Sequence, residues 1–288
     1  MEGYVGIMKK IWIAGAAGHV GSALVRLLDC RQYEILATDK KEVDITDVDA
    51  VRTACRINRP DVIINCAGLT DLQTCEKNPD QAYLVNALGA RNLAQEAQAI
   101  DAKLIQISTD DVFGMDRNVP YNEFDYISPR SIYGKSKAAG EQLVKDLMSR
   151  YIIVRSSWVY GLGKDFVNDV LSAVKNGGVL HVASNQFSTP TSAKELAKVI
   201  LSFIENDAYG TYHAVCKGFC SRYDYAKAIL ELTGNTDNLT VEPFIDETNT
   251  RPRYSVLDNL MLRISGMEEP MEWREALAEY LKENGGNE

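Results

Sequence analysis

The stretch IWIAGAAGHVGSALVRLL, at residues 11–28, joins an apolar run to a helical pattern through a glycine-rich turn. Gly15, Gly18 and Gly21 recur in it at intervals of three residues. Such glycines permit a tight strand-to-helix turn, let the backbone approach a pyrophosphate and let the helix pack on the strand. The free N–H groups at the start of the helix then face the phosphates. The stretch therefore predicts the first unit of a dinucleotide-binding fold.

The first half of the chain continues this alternation of strand and helix. Its strand-like runs are almost continuously apolar, which is typical of a sheet buried on both faces. The order predicts an α/β protein with a Rossmann-type doubly wound parallel sheet. Strands are predicted at 10–15, 34–39, 61–68, 103–109 and 151–157, and helices at 19–29, 47–58, 79–99 and 131–149.

The second half is less regular and predicts a smaller C-terminal α/β lobe that binds the substrate at the edge of the sheet. We expect an NAD(P)-binding domain at 8–160, which also receives parts of 186–215, and a mainly substrate-binding lobe at 161–288. Helices are expected near 165–175, 192–206 and 222–233 and from about 271, with a short strand near 211–215. Residues 1–7 are expected to be a leader or added residues, with Met8 as an alternative start.

Composition excludes several classes of partner. The 288-residue chain carries a formal net charge of −9, which argues against nucleic acid or an anionic membrane as the main partner. No apolar run is long enough to span a membrane, and no signal peptide is recognised. The six cysteines are therefore expected to be reduced in the cytoplasm. The three histidines are scattered, so no metal site is expected, and we predict a monomer or a homodimer.

A carboxylate ends the second predicted strand. Asp39 stands where an acid can bind the adenosine ribose hydroxyls. It favours NAD because a carboxylate repels a 2′-phosphate, but Lys40 and Lys41 follow at once and can accept that phosphate. NAD and NADP both stay open. Asp44 and Ile45, a few residues further on, are placed to flank the adenine.

Two hydroxyls end the fourth predicted strand and two adjacent carboxylates follow it, in STDDVFG at 108–114. Thr109 or Ser108 is expected to supply a hydroxyl that holds a substrate oxygen. Asp110 and Asp111 belong either to an active site or to the cap of the next turn. The sequence alone leaves this choice open.

A tyrosine and a lysine four residues apart lie on the next predicted helix, in SIYGKSKAAGE at 131–141. Tyr133 and Lys137 would share one helix face. A phenol is a poor acid or base at neutral pH unless a nearby cation stabilises its anion. Lys137 would provide that cation, so Tyr133 would pass a proton to or from a sugar carbinol during hydride transfer.

Together these motifs resemble the extended short-chain dehydrogenase/reductase superfamily, and NCAG at 65–68 and VNALGARNLA at 85–94 extend the resemblance. The resemblance implies that Thr109, Tyr133 and Lys137 are catalytic and that Asn86 positions the lysine through a water molecule. It also implies a reduced NAD or NADP as hydride donor. The expected cofactor contacts are Gly15, Gly18, His19, Val20, Gly21, Asp39, Lys40, Asp44, Ile45, Cys66, Ala67, Gly68, Asn86, Ser108, Tyr133 and Lys137.

Three further motifs, SSWVYG at 156–161, NQFSTPTSAKELA at 185–197 and RPRYSVLDN at 251–259, resemble the dTDP-4-dehydrorhamnose reductase family. That family reduces the 4-keto group of dTDP-6-deoxy-L-lyxo-4-hexulose to give dTDP-L-rhamnose, so a nucleotide sugar is the expected substrate. The resemblance implies substrate contacts from Thr109, Asp110, Asp111, Trp158, Gln186 and Arg251.

The chain departs from the family at three positions. The family usually has tyrosine in place of Asp111, and 4,6-dehydratases have there a glutamate that abstracts a proton from carbon. Because Asp111 is one methylene shorter, we expect it beside the substrate of a reductase, with turn capping as the alternative. Gln73 replaces a usual aspartate. Ala23 stands where some reductases bind a dimer-bridging magnesium through glutamate, which argues against such a dimer.

Two other functions compete with the reductase. A nucleotide-sugar 4,6-dehydratase or epimerase would recycle its cofactor without net oxidation. A non-catalytic cofactor-binding protein, similar to the regulatory subunit of methionine adenosyltransferase, would act through a catalytic partner.

Overall fold

Parallel strands form the centre of the molecule, and helices cover both faces. The computed structural model describes residues 8–115, 117–248 and 250–284, so the expected leader at 1–7 lies outside the described residues. The strands are β1 (Lys9–Ala14), β2 (Tyr33–Thr38), β3 (Val62–Asn65), β4 (Lys103–Thr109), β5 (Tyr151–Ser156), β6 (Val159–Tyr160), β7 (Val179–Ala183), β8 (Phe187–Ser188), β9 (Thr191–Ser192), β10 (Gly210–His213), β11 (Cys220–Ser221) and β12 (Thr240–Phe244).

The helices include all those that the sequence predicts, together with short ones that it does not. They are α1 (His19–Leu27), α2 (Val48–Asn58), α3 (Leu72–Lys77), α4 (Pro79–Tyr83), α5 (Ala90–Ala99), α6 (Ile132–Leu147), α7 (Phe166–Asn176), α8 (Ala193–Glu205), α9 (Arg222–Thr233), α10 (Leu260–Ile264) and α11 (Trp273–Asn284). The helix expected at 79–99 is in fact α4 and α5 joined by a π-helix at Leu84–Gly89. Such π segments are frequent at functional sites.

The central sheet has the order β10-β5-β4-β3-β1-β2, and every neighbouring pair is parallel. The predicted Rossmann-type doubly wound sheet is confirmed. The chain runs outward from β1 to β2 and then returns to β3 on the other side of β1. Ligands of such sheets bind at this reversal, beyond the carboxyl ends of the strands.

Successive side chains along a strand point to opposite faces of the sheet, where they pack in two apolar layers. Ile11 and Ile13 of β1 pack with α1 and α8 on one face, whereas Trp12 and Ala14 pack with α2, α5 and α6 on the other. This alternation follows from the two-residue period of a strand. A separate apolar cluster lies in the second half of the chain, around Tyr225 and Trp273. Within the described ranges, no helix combines the length and apolar character that crossing a bilayer requires.

The first turn of the fold depends on close backbone contacts at two glycines. Gly15 has φ +80°, and a Cβ built on it would lie 2.6 Å from the Ala67 nitrogen. A Cβ on Gly21 would lie 2.2 Å from the Gly15 oxygen. Gly18 is different, because a Cβ there would meet only the Gly15 oxygen, at 3.4 Å. Gly21 therefore lets α1 lie against the turn, whereas a methyl group on Gly18 would meet one atom at ordinary contact distance.

These distances predict opposite outcomes for two alanine substitutions. Gly21→Ala should lower the free energy of unfolding by about 2–3 kcal/mol, because backbone atoms must move to admit the methyl group. Gly18→Ala should cost no more than about 1 kcal/mol, because its backbone suits alanine and only an N-cap preference is lost. Urea denaturation of both variants measures the difference, and equal losses would contradict the packing described for Gly21.

Candidate active site

The candidate site lies where β1, β3, β4 and β5 end. The glycine turn follows β1, Cys66 to Gly68 follow β3, and Thr109 to Asp111 end and follow β4. Trp158 comes just after β5, and α6 begins beside the end of β4. Because the strands are parallel, these segments meet at one edge of the sheet.

The glycine turn has the features that a dinucleotide pyrophosphate requires. Gly18 precedes α1 with no side-chain cap, and the first turn of α1 contains no acidic residue. Its first N–H groups have no intrahelical acceptor, as at every helix start. An anion would be stabilised there by these donors and by the helix dipole. The residues present thus fit a bound dinucleotide.

Asp39 joins β2 to the glycine turn. Its carboxylate oxygens accept from the Ala17 N–H at 3.1 and 3.0 Å. Lys40 is exposed, and its Nζ lies 3.7 Å from a carboxylate oxygen of Asp44. Asp44 also accepts from the hydroxyl of Thr46 at 2.7 Å. Ile45 is buried in the core against Gly89, so of the expected adenine contacts it is the least accessible.

Tyr133 and Lys137 lie near the end of β4, as their spacing predicts. Burial raises the pKa of Tyr133, and the charge of Asp111 adds to this, while the nearby Thr109 hydroxyl acts in the opposite direction. The phenol therefore holds its proton at neutral pH. Lys137 is buried, and its Nζ donates to the Ile107 oxygen at 2.6 Å. Burial lowers the pKa of Lys137 to about 8.

The two hydroxyls at the end of β4 have different partners. The Ser108 Oγ donates to a carboxylate oxygen of Glu141 at 2.6 Å, so this hydroxyl is engaged within the protein. The Thr109 Oγ1 donates to Asp110 at 3.2 Å and accepts from the Asp111 N–H at 3.2 Å. Both of these bonds are long. Of the two candidates, Thr109 is therefore the one whose hydroxyl is available to a substrate.

Asp110 ties the end of β4 to the second half of the chain. Its Oδ2 accepts from the hydroxyls of Ser188 at 2.8 Å and Ser255 at 2.5 Å. Burial, together with the charge of Asp111, raises the pKa of Asp110 to about 6. The two serine bonds oppose this shift.

Asp111 is 5% exposed and faces two arginines. Burial raises its pKa, and the charges of Arg251 and Arg222 oppose that rise. Its N–H binds Thr109, so its backbone belongs to the turn after β4. The Thr109 hydroxyl caps this turn, and the Asp111 side chain takes no part in that bond. A role for the Asp111 carboxylate beside the substrate stays a prediction.

Trp158 lies beside Arg222 and has an unusual backbone. Its φ is +40°, a conformation that non-glycine residues seldom adopt and that clusters at functional sites. The Arg222 guanidinium lies 3.6 Å from the centroid of the Trp158 ring and 4.7 Å from that of Phe166. Burial lowers the pKa of Arg222 to about 9, and the charge of Arg251 adds to this. Arg222, whose charge interacts with that of Arg251, therefore lies directly over the Trp158 ring.

The remaining candidate residues are held by bonds within the protein. The Gln186 Nε2 donates to Asp246 at 2.6 Å. The Asn86 amide, which lies in the π-helix, donates to the Leu69 oxygen and to the Ser136 Oγ, each at 2.9 Å. Asn86 also accepts from the Leu69 N–H at 2.8 Å. Its amide therefore orders the segment after β3 and binds α6 next to Lys137.

Sequence reasoning missed several residues that shape the site. Glu141, Ser188 and Ser255 bind Ser108 and Asp110, and Arg222 covers Trp158. Glu141 carries a signal, because it follows Lys137 by four residues on the same helix face. Arg222 reaches Trp158 through tertiary packing, so no sequence pattern indicates its role. In the part of the chain that the structure describes, no group of three or more His, Cys, Asp or Glu residues could hold a metal ion.

The buried acid pair predicts a pH-dependent change in stability. A carboxyl whose pKa is raised on folding costs stability above that pKa, and the cost disappears as the pH falls to the unfolded value. Asp111→Asn should therefore raise the free energy of unfolding by about 1–2 kcal/mol at pH 7.5, by removing one buried charge. The advantage should shrink by pH 5, because Asp110, with its pKa of about 6, is then largely protonated in the wild type.

Denaturation at the two pH values measures this effect, with the exposed Asp237→Asn as a control that should change neither value. A loss of stability in Asp111→Asn at pH 7.5 would contradict the account, since it would mean that the two arginines compensate the Asp111 charge fully.

Comparison with known proteins agrees with this geometry. The profile of the RmlD substrate binding domain family matches residues 8–285. The spore coat polysaccharide biosynthesis protein SpsK of Bacillus subtilis is 39% identical over 280 residues, which cover 96% of this chain and 98% of SpsK.

Two solved structures are similar over almost the whole chain. A dTDP-4-dehydrorhamnose reductase from Clostridium acetobutylicum is 42% identical with a TM-score of 0.91, covering 95% of this chain and 98% of its own. The enzyme of that name from Bacillus anthracis, solved in complex with NADP, is 38% identical with a TM-score of 0.93, covering 96% of this chain and 100% of its own. The chain therefore belongs to the RmlD substrate binding domain family, within the extended short-chain dehydrogenase/reductase superfamily.

Proposed function

We propose that this protein reduces the 4-keto group of a dTDP-linked 6-deoxyhexulose, converting dTDP-4-dehydrorhamnose to dTDP-L-rhamnose with NADPH or NADH. The observation that carries the proposal is that Thr109, Tyr133 and Lys137 lie near the end of β4, at the same edge of the sheet as a glycine turn without a side-chain cap. Relatives that share nearly the whole chain are named as dTDP-4-dehydrorhamnose reductases, which supports this substrate.

The turn at Gly15, Gly18 and Gly21, with His19 and Val20, holds the cofactor diphosphate, and Asp39 or Lys40 meets the adenosine ribose. Cys66, Ala67 and Gly68 line the path toward the nicotinamide. Burial raises the pKa of the Cys66 thiol to about 12, so this residue contributes no charge at neutral pH. When bound, the reduced nicotinamide supplies the hydride.

The protein contributes orientation and a proton. Thr109 holds the carbonyl oxygen, and Tyr133 donates its phenolic proton to that oxygen as it becomes an alcohol. The raised pKa of Tyr133 suits this direction, because buried surroundings and the Asp111 charge keep the phenol protonated until the reaction occurs. The Lys137 ammonium stabilises the phenolate that remains and binds the nicotinamide ribose.

Charge in the pocket fits a nucleotide diphosphate sugar. Arg251 and Arg222 both act on Asp111, and their two positive charges suit a diphosphate. Trp158 lies under Arg222 and provides an apolar face for the sugar. Asp110, Asp111 and Gln186 complete the substrate side. The segment 161–288 would supply most of this pocket, while parts of 186–215 belong with the cofactor-binding domain at 8–160.

The proposal extends to partners and location. We place the enzyme in the cytoplasm as a monomer or homodimer, with a nucleotide sugar as its substrate and no nucleic-acid or membrane partner.

The dehydratase alternative is less consistent with the contacts of Asp110. An acid that protonates a departing hydroxyl must present its own proton to the substrate. Here one oxygen of Asp110 accepts from two serine hydroxyls, and the other accepts from Thr109. These bonds hold both oxygens of Asp110 in contacts within the protein, so the carboxyl is not free to turn toward a departing hydroxyl.

Removing the phenolic hydroxyl tests the proposed proton donor. Tyr133→Phe should lower kcat by about a hundredfold to ten-thousandfold, while NADPH affinity stays within a few-fold. Oxidation of NADPH with dTDP-4-dehydrorhamnose, followed by absorbance, measures kcat, and nicotinamide fluorescence measures the affinity. Tyr126→Phe is the matched control, because that side chain is 79% exposed, and it should leave both values unchanged. A Tyr133→Phe enzyme with full activity would refute the assignment.

Charge at the end of β2 should set the cofactor preference. Asp39→Asn keeps an oxygen to accept from the Ala17 N–H but removes the negative charge. It should raise the ratio of kcat/KM for NADPH to that for NADH by about tenfold. Lys40→Gln should lower the same ratio, because it removes the cation nearest a 2′-phosphate. Unchanged ratios in both variants would place the ribose elsewhere.

A further inference from the structure

A buried carboxylate lies one helical turn beyond the catalytic lysine. Tyr133, Lys137 and Glu141 follow one another at intervals of four residues on α6, so they share one face of the helix. Glu141 is 1% exposed. Neither the resemblance to other reductases nor the proposed mechanism gives it a role.

Glu141 joins α6 to both strands beneath it. One of its oxygens accepts from the Ser108 Oγ at 2.6 Å and from the Arg155 Nε at 2.9 Å. The other accepts from the Arg155 Nη2 at 2.7 Å. Ser108 on β4 and Arg155 on β5 are register partners in the sheet. The carboxylate therefore spans one rung of the sheet, directly before the rung that contains Thr109.

Lys137 contacts the same short piece of β4. Its Nζ donates to the oxygen of Ile107, the residue before Ser108. Lys137 and Glu141 thus fix two consecutive residues of β4, and Thr109 is the third. This arrangement determines where Thr109 lies relative to Tyr133 at the start of α6.

Burying the ion pair between Glu141 and Arg155 costs free energy that a purely stabilising role does not explain. Buried ion pairs are often no more stabilising than apolar side chains of similar volume. The Arg155 Nη1 is buried without a hydrogen-bond partner in the described part of the chain, which adds to the cost. A charge at this position is therefore expected to serve the site.

Glu141 is ionised and supports the charge of Lys137. Burial acts to raise the pKa of Glu141, but the charge and bonds of Arg155 and the bond from Ser108 outweigh it, so the pKa lies below its usual value. Burial lowers the pKa of Lys137 to about 8, against the opposing charge of Glu141. Cys66, which follows β3, also faces Lys137, and its thiol is neutral. Lys145 faces Glu141 from the same helix at 3.8 Å.

We propose that Glu141 is a positioning residue for the reduction: paired with Arg155 and bound by Ser108, it fixes α6 on β4 and β5 and keeps Lys137 in its ammonium form. This rests on the proposed function, because it assumes that Lys137 acts as a cation beside Tyr133 and the cofactor ribose.

Two variants separate this role from a purely structural one. Glu141→Gln keeps the size of the side chain but removes the charge. The double variant Glu141→Met with Arg155→Met replaces the whole pair with apolar side chains and leaves no unpaired buried charge. Glu96→Gln is the matched control. It breaks an ion pair between two other helices, away from the site, in which the Arg52 Nε lies 3.0 Å from a Glu96 carboxylate oxygen.

The pH profiles of kcat and of NADPH affinity are the readouts. In the wild type both should decline as the pH rises through about 8, where Lys137 loses its proton. In Glu141→Gln the decline should move to lower pH by about one unit, and at pH 8 kcat and affinity should each fall by about fivefold. The double variant also loses the Arg155 cation, so its decline should move in the same direction by a smaller amount. KM for the sugar should change less than kcat, and Glu96→Gln should match the wild type.

A double variant with the wild-type pH profile and kcat would overturn the inference, because the pair would then be structural only. If Glu141→Gln fails to fold, the double variant decides alone. If the wild type does not reduce the sugar, the proposed function fails, and the NADPH-affinity profile decides the inference by itself. A profile moved to lower pH in the variants supports it, and an unmoved profile overturns it.

Discussion

The close contact between α6 and the end of β4 is the constraint on which the site depends. A Cβ on Gly134 would lie 2.1 Å from the Asp111 oxygen, and one on Gly140 would lie 2.3 Å from the Asn86 oxygen. The helix backbone therefore touches the turn after β4 near its start and the π-helix near its middle. Polar bonds from Lys137 and Glu141 to β4 complete the contact. Tyr133 and Thr109 come together as a consequence.

The charged side chains around this contact form two separate groups. On the proposed cofactor side, buried Lys137 is balanced by Glu141, which is itself balanced by Arg155. On the proposed substrate side, the charges of Arg251 and Arg222 act on Asp111, which in turn raises the pKa of Asp110. Burying so many charges is unfavourable for folding. Their concentration at one edge of the sheet is what a site that binds two phosphorylated molecules requires.

The sequence predicts much of the fold and part of the candidate site, whereas the rest depends on tertiary contacts. The glycine turn and the apolar runs predicted the parallel sheet, because both features are local and periodic. The spacing of Tyr133 and Lys137 predicted a shared face. The π-helix at Leu84–Gly89 was not predicted, since its apolar pattern differs little from that of an α-helix. Nor could the sequence show that Ser108 binds Glu141, or that Ser188 and Ser255 bind Asp110, because these partners are far apart along the chain.

The most direct test of the central claim follows the hydride itself. The enzyme would be given dTDP-4-dehydrorhamnose with NADPH deuterated at C4 of the nicotinamide, using each stereoisomer in turn, and the purified product would be examined by NMR. The account predicts one deuterium at C4 of the hexose from one of the two isomers, with one NADPH consumed for each sugar reduced. A sugar converted without net loss of NADPH, or with deuterium absent from C4 for both isomers, would contradict it.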